Sequence, residues 1–153
     1  MISKKIFGRN ALKPIIDKLK KQGKRIVFTN GCFDLLHPGH LKSFADAKRH
    51  GDILVVAINS DRSVKKIKGP TRPVIDEKGR AAMVAALEIV DYVTIFSEET
   101  PYELIKLLRP NILAKGGDWK ADQIIGREFV NKVVRIKLKP GVSTTDIIKK
   151  ISC

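Results

Sequence analysis

Cysteine is nearly absent: of 153 residues only Cys32 and Cys153 carry a thiol. Two cysteines make no disulfide framework, so a reducing, cytoplasmic setting is expected. Long apolar runs are missing as well, and no stretch approaches the roughly 18 residues that cross a bilayer. The opening M-I-S-K-K-I-F-G lacks the apolar stretch and small-residue cleavage site of a secretory signal. Aromatic residues are only 6% and are not interleaved with the basic doublets. That argues against a stacking platform for single-stranded nucleic acid. Acidic residues are outnumbered, 16 against 30 lysines and arginines, for a formal charge of +14. Such a field attracts anions, whether nucleic acid or phosphorylated metabolites. The excess is scattered in doublets such as Lys20-Lys21, Lys65-Lys66 and Lys149-Lys150, with no long basic block. A basic nucleic-acid-binding module therefore rests on charge alone.

What is present is a globular composition, 43% apolar and 30% charged, at a length that suits one domain with a real core. Apolar Leu12, Ile15, Ile16 and Leu19 recur at helical spacing over 10–22, within an N-terminal helical extension spanning 1–24. Continuous apolar or β-branched runs predict buried strands at 25–30, 53–59, 91–96, 111–115 and 133–138. Between them lie helices at 38–50 and 76–89, and one reaching 108 that opens on a capping-box signature at Thr100, Pro101 and Glu103. The basic stretch 60–73 reads as a partly helical loop, 123–130 as a looser helical region, and 143–151 as a closing helix. Short strands alternating with helices imply an α/β fold, a single Rossmann-like doubly wound domain with a five-stranded parallel sheet.

In such sheets ligands bind beyond the carboxyl ends of the strands, where strand order reverses. N-G-C-F-D-L-L-H-P-G-H, residues 30–40, lies at the end of the first strand and runs into a helix. A helix N-terminus offers unsatisfied N–H groups and partial positive charge to a phosphate. His37 and His40, three apart, fall on one side of the first turn and can face the same anion. A zinc site is disfavoured, because H-P-G-H lacks the i, i+4 spacing and internal Glu of a helical protease site, and further ligands are wanting. Cys32 has no base beside it in sequence and reads as a small packing residue. The paired histidines read as phosphate ligands.

G-C-F-D-L-L-H-P-G-H resembles the H-x-G-H signature of the nucleotidyltransferase superfamily. I-N-S-D-R-S-V-K-K-I-K-G-P-T-R-P, R-A-A-M-V-A-A-L-E-I-V-D-Y-V, L-A-K-G-G-D-W and G-V-S-T-T-D-I-I-K-K-I follow in the order of one branch. That branch is the D-glycero-β-D-manno-heptose 1-phosphate adenylyltransferases, whose domain often follows a sugar kinase. The resemblance covers about residues 10–151, and with no kinase segment preceding it a stand-alone transferase is expected.

The resemblance implies transfer of AMP from ATP to the heptose 1-phosphate, giving ADP-heptose and pyrophosphate for the lipopolysaccharide core. It makes His37, His40, Lys68 and Arg80 the catalytic candidates, with Lys65 the second choice for a lysine reaching the phosphates. Cys32 and Phe33 should line the nucleotide site with Gly39, and Asp118 should lie near the base or ribose. Ser143, Thr144 and Thr145 open the last helix and can bind the β- and γ-phosphates, although a plain helix cap would look similar. Asp34, Lys65 and Arg72 are substrate-side candidates. Magnesium should accompany ATP on the phosphate oxygens, with no protein metal site, and a homo-oligomer is expected.

The nearest rival is a glycerol-3-phosphate cytidylyltransferase, with an archaeal-type FAD synthetase behind it. The cytidylyltransferase branch typically carries Arg before its final motif, where this chain has L-K-P-G-V-S-T-T. Leu138 argues against cytosine recognition; Lys137 and Lys139 remain as basic residues nearby.

Overall fold

Five apolar strands pair side by side in the computed structural model, which describes residues 1–117 and 119–152. They are β1 (Ile26–Gly31), β2 (Ile53–Asn59), β3 (Tyr92–Phe96), β4 (Ile112–Gly116) and β5 (Lys132–Ile136). All run parallel in the order β3-β2-β1-β4-β5. The chain lays β2 and β3 to one side of β1, then crosses back to place β4 and β5 on the other. Strand order thus reverses between β1 and β4, the position where open α/β sheets bind ligands.

Helices cover both faces: α1 (Arg9–Lys21), α2 (Pro38–Lys48), α3 (Asp61–Lys68), α4 (Glu77–Ala85), α5 (Tyr102–Leu108) and α6 (Thr144–Ile151). On one face Phe44 of α2 and Val84 of α4 pack with Val27, Leu54, Val56 and Ile58. On the other, Leu12 and Ile16 of α1 and Leu104, Ile105 and Leu108 of α5 pack with Phe28 and Val55. Leu54 through Ile58 are wholly buried, which explains why β2 reads as a continuous apolar run rather than an alternating one. Each large side chain removed from water in this way contributes roughly 1.5–3 kcal/mol. The N-terminal helix is integral to this core. It is further tied by paired hydrogen bonds from Arg9 to Glu98, at 2.6 and 2.7 Å.

The stretch 60–73 is partly helical as expected, its helix α3 starting where Ser60 accepts from the Ser63 N–H at 3.2 Å. Several other local expectations change. The helix predicted over 76–89 ends at Ala85. No capping box opens α5: Pro101 is its N-cap, without a side-chain cap, and Glu103 stands one position short of the reach-back site. The region 123–130 is not a helix but two single 3-10 turns, Ala121–Gln123 and Arg127–Phe129, separated by Gly126 at φ 83°. β5 covers Lys132–Ile136, which frees Leu138 and Lys139 for the loop beyond it.

Candidate active site

The end of β1 turns sharply before α2, and the turn is built from three rings. Phe33 has φ 47°, a left-handed conformation that is uncommon for an aromatic residue. Its ring lies against Phe44, with centroids 4.9 Å apart, and edge-on to His40 at 5.3 Å. A Cβ on Gly31 would come within 2.9 Å of the Phe33 ring, so glycine there makes room for this packing.

His37 is the N-cap of α2, and its Nδ1 accepts from the Gly39 N–H at 3.1 Å. His40, at the third helical position, accepts from the His37 N–H through its own Nδ1 at 3.4 Å. The two side chains form a reciprocal capping box written in histidines. Their rings stack at 3.7 Å with 24° between planes. Gly39 is required because a Cβ there would lie 2.8 Å from His37 Cε1.

With Nδ1 accepting, each neutral imidazole carries its proton on Nε2 and has that N–H left to donate. Burial lowers the pKa of His37. Burial, then the neighbouring His37, brings His40 down from 6.5 to about 4. The pair is therefore a neutral set of donors at neutral pH in the absence of an anion, rather than a cationic clamp.

These histidines face a cavity of about 660 Å³ at the carboxyl edge of the sheet. Its walls include Cys32, Phe33, Asp34, His37, Gly39 and His40 from the β1–α2 turn, and Lys68 and Arg72 from α3 and beyond. Ser143, Thr144 and Thr145 close it from the start of α6. The N-termini of α2 and α6 therefore address one volume. Ser143 caps α6, accepting from the Asp146 N–H at 3.1 Å and donating to the Asp146 carboxylate at 2.7 Å. Thr144 donates to the Leu35 carbonyl at 3.5 Å.

Asp34 is buried, and its carboxylate is fully engaged. Oδ1 accepts from the Val74 and Ile75 N–H groups at 2.9 Å, and Oδ2 from Arg72 Nε at 2.8 Å. Burial alone would raise its pKa, but the hydrogen bonds from Ile75, Val74 and Arg72 bring it below the ordinary carboxylate value. Its visible role is to hold the 72–75 segment and aim Arg72.

Arg80 lies off the cavity wall and is 1% exposed. Its guanidinium donates to the carbonyls of Ile75, Cys32 and Asn59 at 2.6–2.9 Å and to Asp61 Oδ1 at 2.8 Å. Those bonds join the ends of β1 and β2 to the starts of α3 and α4. Lys65 is exposed on α3 and does not line the cavity, whereas Lys68 does. Asp118 lies outside the described residues. Burial pushes the Cys32 thiol up, in keeping with a packing role.

Asn30, Asn59 and Trp119 line the same cavity and were missed as candidates. The signal was available for the first two: Asn59 is the polar end of an apolar strand, and Asn30 stands just before the glycine that ends β1. Trp119 is held by its Nε1, which donates to the Gly116 carbonyl at 2.6 Å. Leu138 packs over the adjoining Gly116 and Gly117.

The cytidylyltransferase-like family model matches residues 28–150. The chain belongs to the cytidylyltransferase-like family. It is 51% identical over 134 residues to the bifunctional protein HldE of Aliarcobacter butzleri, covering 88% of this chain and 28% of that protein. It is 50% identical to the bifunctional protein HldE of Pelobacter propionicus, covering 96% of this chain and 31% of that one. The chain thus spans less than a third of the relatives it matches. A lipopolysaccharide core biosynthesis protein from Thermoplasma volcanium superposes with a TM-score of 0.66 at 30% identity. That match covers 76% of this chain and 99% of the solved one. The matched range, 28–150, contains every residue that lines the cavity. Among the described residues, no helix is long and apolar enough to cross a membrane.

Proposed function

We propose that this chain transfers the adenylyl group of ATP to D-glycero-β-D-manno-heptose 1-phosphate, releasing pyrophosphate and ADP-heptose. The observation that carries the reading is the convergence of two helix N-termini and two histidine Nε2–H donors on one cavity. Such a site suits a polyphosphate. An oxygen of the sugar phosphate attacks the α-phosphorus, a new P–O bond forms, and the α–β anhydride bond breaks. The bonding pair leaves on pyrophosphate. The nucleophile is already an anion, so no base is needed to take a proton.

Catalysis then reduces to alignment and to offsetting charge on the α-phosphate and the leaving group. His37 and His40 donate to those oxygens, and the α2 dipole adds to them. Lys68, Arg72 and Lys139 supply positive charge around the same cavity. One such preorganised donor is worth roughly 3–4 kcal/mol of barrier.

Magnesium enters this reading with the nucleotide. Among the described lining residues Asp34 is the only carboxylate, and its bonds to Arg72 and two backbone N–H groups leave it a poor ligand. The phosphates would hold the ion, which would help neutralise their charge. Leu138 and Trp119 present an apolar wall to the base, which favours adenine over a base read through an arginine. A cytoplasmic, homo-oligomeric enzyme supplying heptose to lipopolysaccharide belongs to the same reading through family resemblance. Mass spectrometry of the products from ATP and the heptose 1-phosphate tests it: ADP-heptose is expected, and its absence would overturn the proposal.

A further inference from the structure

Each strand at the reversal point carries a polar side chain one residue before its terminal glycine, both on the same face of the sheet. β1 and β4 pair Val27 with Ile112 and Phe28 with Leu113, so Asn30 and Lys115 are neighbours by the same offset. Lys115 Nζ donates to Asn30 Oδ1 at 3.0 Å. Alternation along the strands puts both on the side of Phe28 and Leu113, the face covered by α1 and α5. Asn59, which ends β2, shares that face with Val55 and Ala57. The histidines ride on α2, whose Phe44 and Ala47 pack against the opposite face. The cavity therefore straddles the sheet edge, with phosphate donors on one side and the asparagines on the other.

The two carboxamides are turned in opposite senses. Lys115 engages the Oδ1 of Asn30, leaving its Nδ2 hydrogens for the cavity it lines. Asn59 commits its Nδ2 to Ser63 Oγ at 2.9 Å, leaving Oδ1 as an acceptor. A donor and an acceptor on adjacent strands suit hydroxyl groups, which need both. Burial lowers the Lys115 pKa, and its bond to Asn30 Oδ1 gives the part-buried ammonium a polar partner.

We propose that Asn30 and Asn59, with Lys115 as the residue that positions Asn30, form the acceptor-recognition element for the hydroxyls of a sugar phosphate. They act from the α1/α5 side, opposite the nucleotide's phosphates. The inference rests on the nucleotidyl-transfer reading above.

Steady-state kinetics of the full chain with ATP and D-glycero-β-D-manno-heptose 1-phosphate test it. Lys115→Met should raise the KM for the sugar phosphate about tenfold or more while leaving the KM for ATP within about twofold. Asn30→Asp keeps a partner for Lys115, so folding is preserved, but it replaces the amide donors with an anion. The same selective rise is expected there. An unchanged sugar KM in Asn30→Asp, or an equal rise in both KM values, overturns the inference; that variant decides alone if Lys115→Met does not fold. An inactive wild-type protein would instead overturn the functional reading and this inference with it.

Discussion

His37 and His40 stack ring on ring at 3.7 Å, each Nδ1 held by a backbone N–H of the turn that carries them. This arrangement fixes both tautomers and directs two Nε2–H groups as donors. It also keeps His40 neutral, because a buried imidazole beside another resists protonation.

A pH dependence follows. The folded-state pKa of His40 is about 4 against an ordinary 6.5, so the unfolded chain binds the extra proton between those values. The stability this group contributes is complete above about 6.5 and is lost as pH falls through about 4, a swing of about 1–3 kcal/mol once solvent screening of the partly exposed ring is counted. His40→Asn should flatten that part of the stability curve in urea titrations across the window. NMR titration should also show the His40 pKa rising when pyrophosphate binds. An unaltered slope in the variant would contradict the neutral-pair assignment.

Gly39→Ala forces the His37 ring away, since the new Cβ would sit 2.8 Å from Cε1. Loss of the cap should cost about 1 kcal/mol of stability. Displacing the donor should lower turnover at least about tenfold. Thermal melts and kcat measured together check both; wild-type turnover would mean that the ring position is immaterial.

Arg80 separates a structural from a chemical role. Arg80→Met leaves Asp61 and three carbonyls without their partner. It should destabilise the fold by about 3–5 kcal/mol, read as a lower denaturant midpoint. An unchanged midpoint with turnover abolished would restore Arg80 to the reacting phosphates.

Asp34→Asn weakens the anchor of the 72–75 segment by removing a charged acceptor from Arg72 and two backbone N–H groups. A loss of about 1.5–3 kcal/mol is expected, with faster proteolysis next to Arg72. Equal proteolysis rates in the two proteins would show that the segment is held by other contacts.

The sheet was legible because β1, β2 and β4 are buried on both faces and leave continuous apolar runs. α3 was legible only as a partly helical stretch without bounds, since its exposed face is basic and only Ser60 marks its start. The histidines and the start of α6 line the cavity because motif and helix-start position coincide, while Lys68 reaches it from the last turn of α3. Arg80 and Asp34 carry charge within the quoted motifs, but their partners, backbone groups together with Asp61 and Arg72, are ones that no local pattern specifies. Asn30 and Lys115 stand 85 residues apart and meet only through strand order.

Pyrophosphate release measured for ATP and CTP, each against D-glycero-β-D-manno-heptose 1-phosphate and glycerol 3-phosphate, tests the proposed reaction most directly. Fast release confined to ATP with the heptose phosphate is the expected result. Preference for CTP with glycerol 3-phosphate would contradict it.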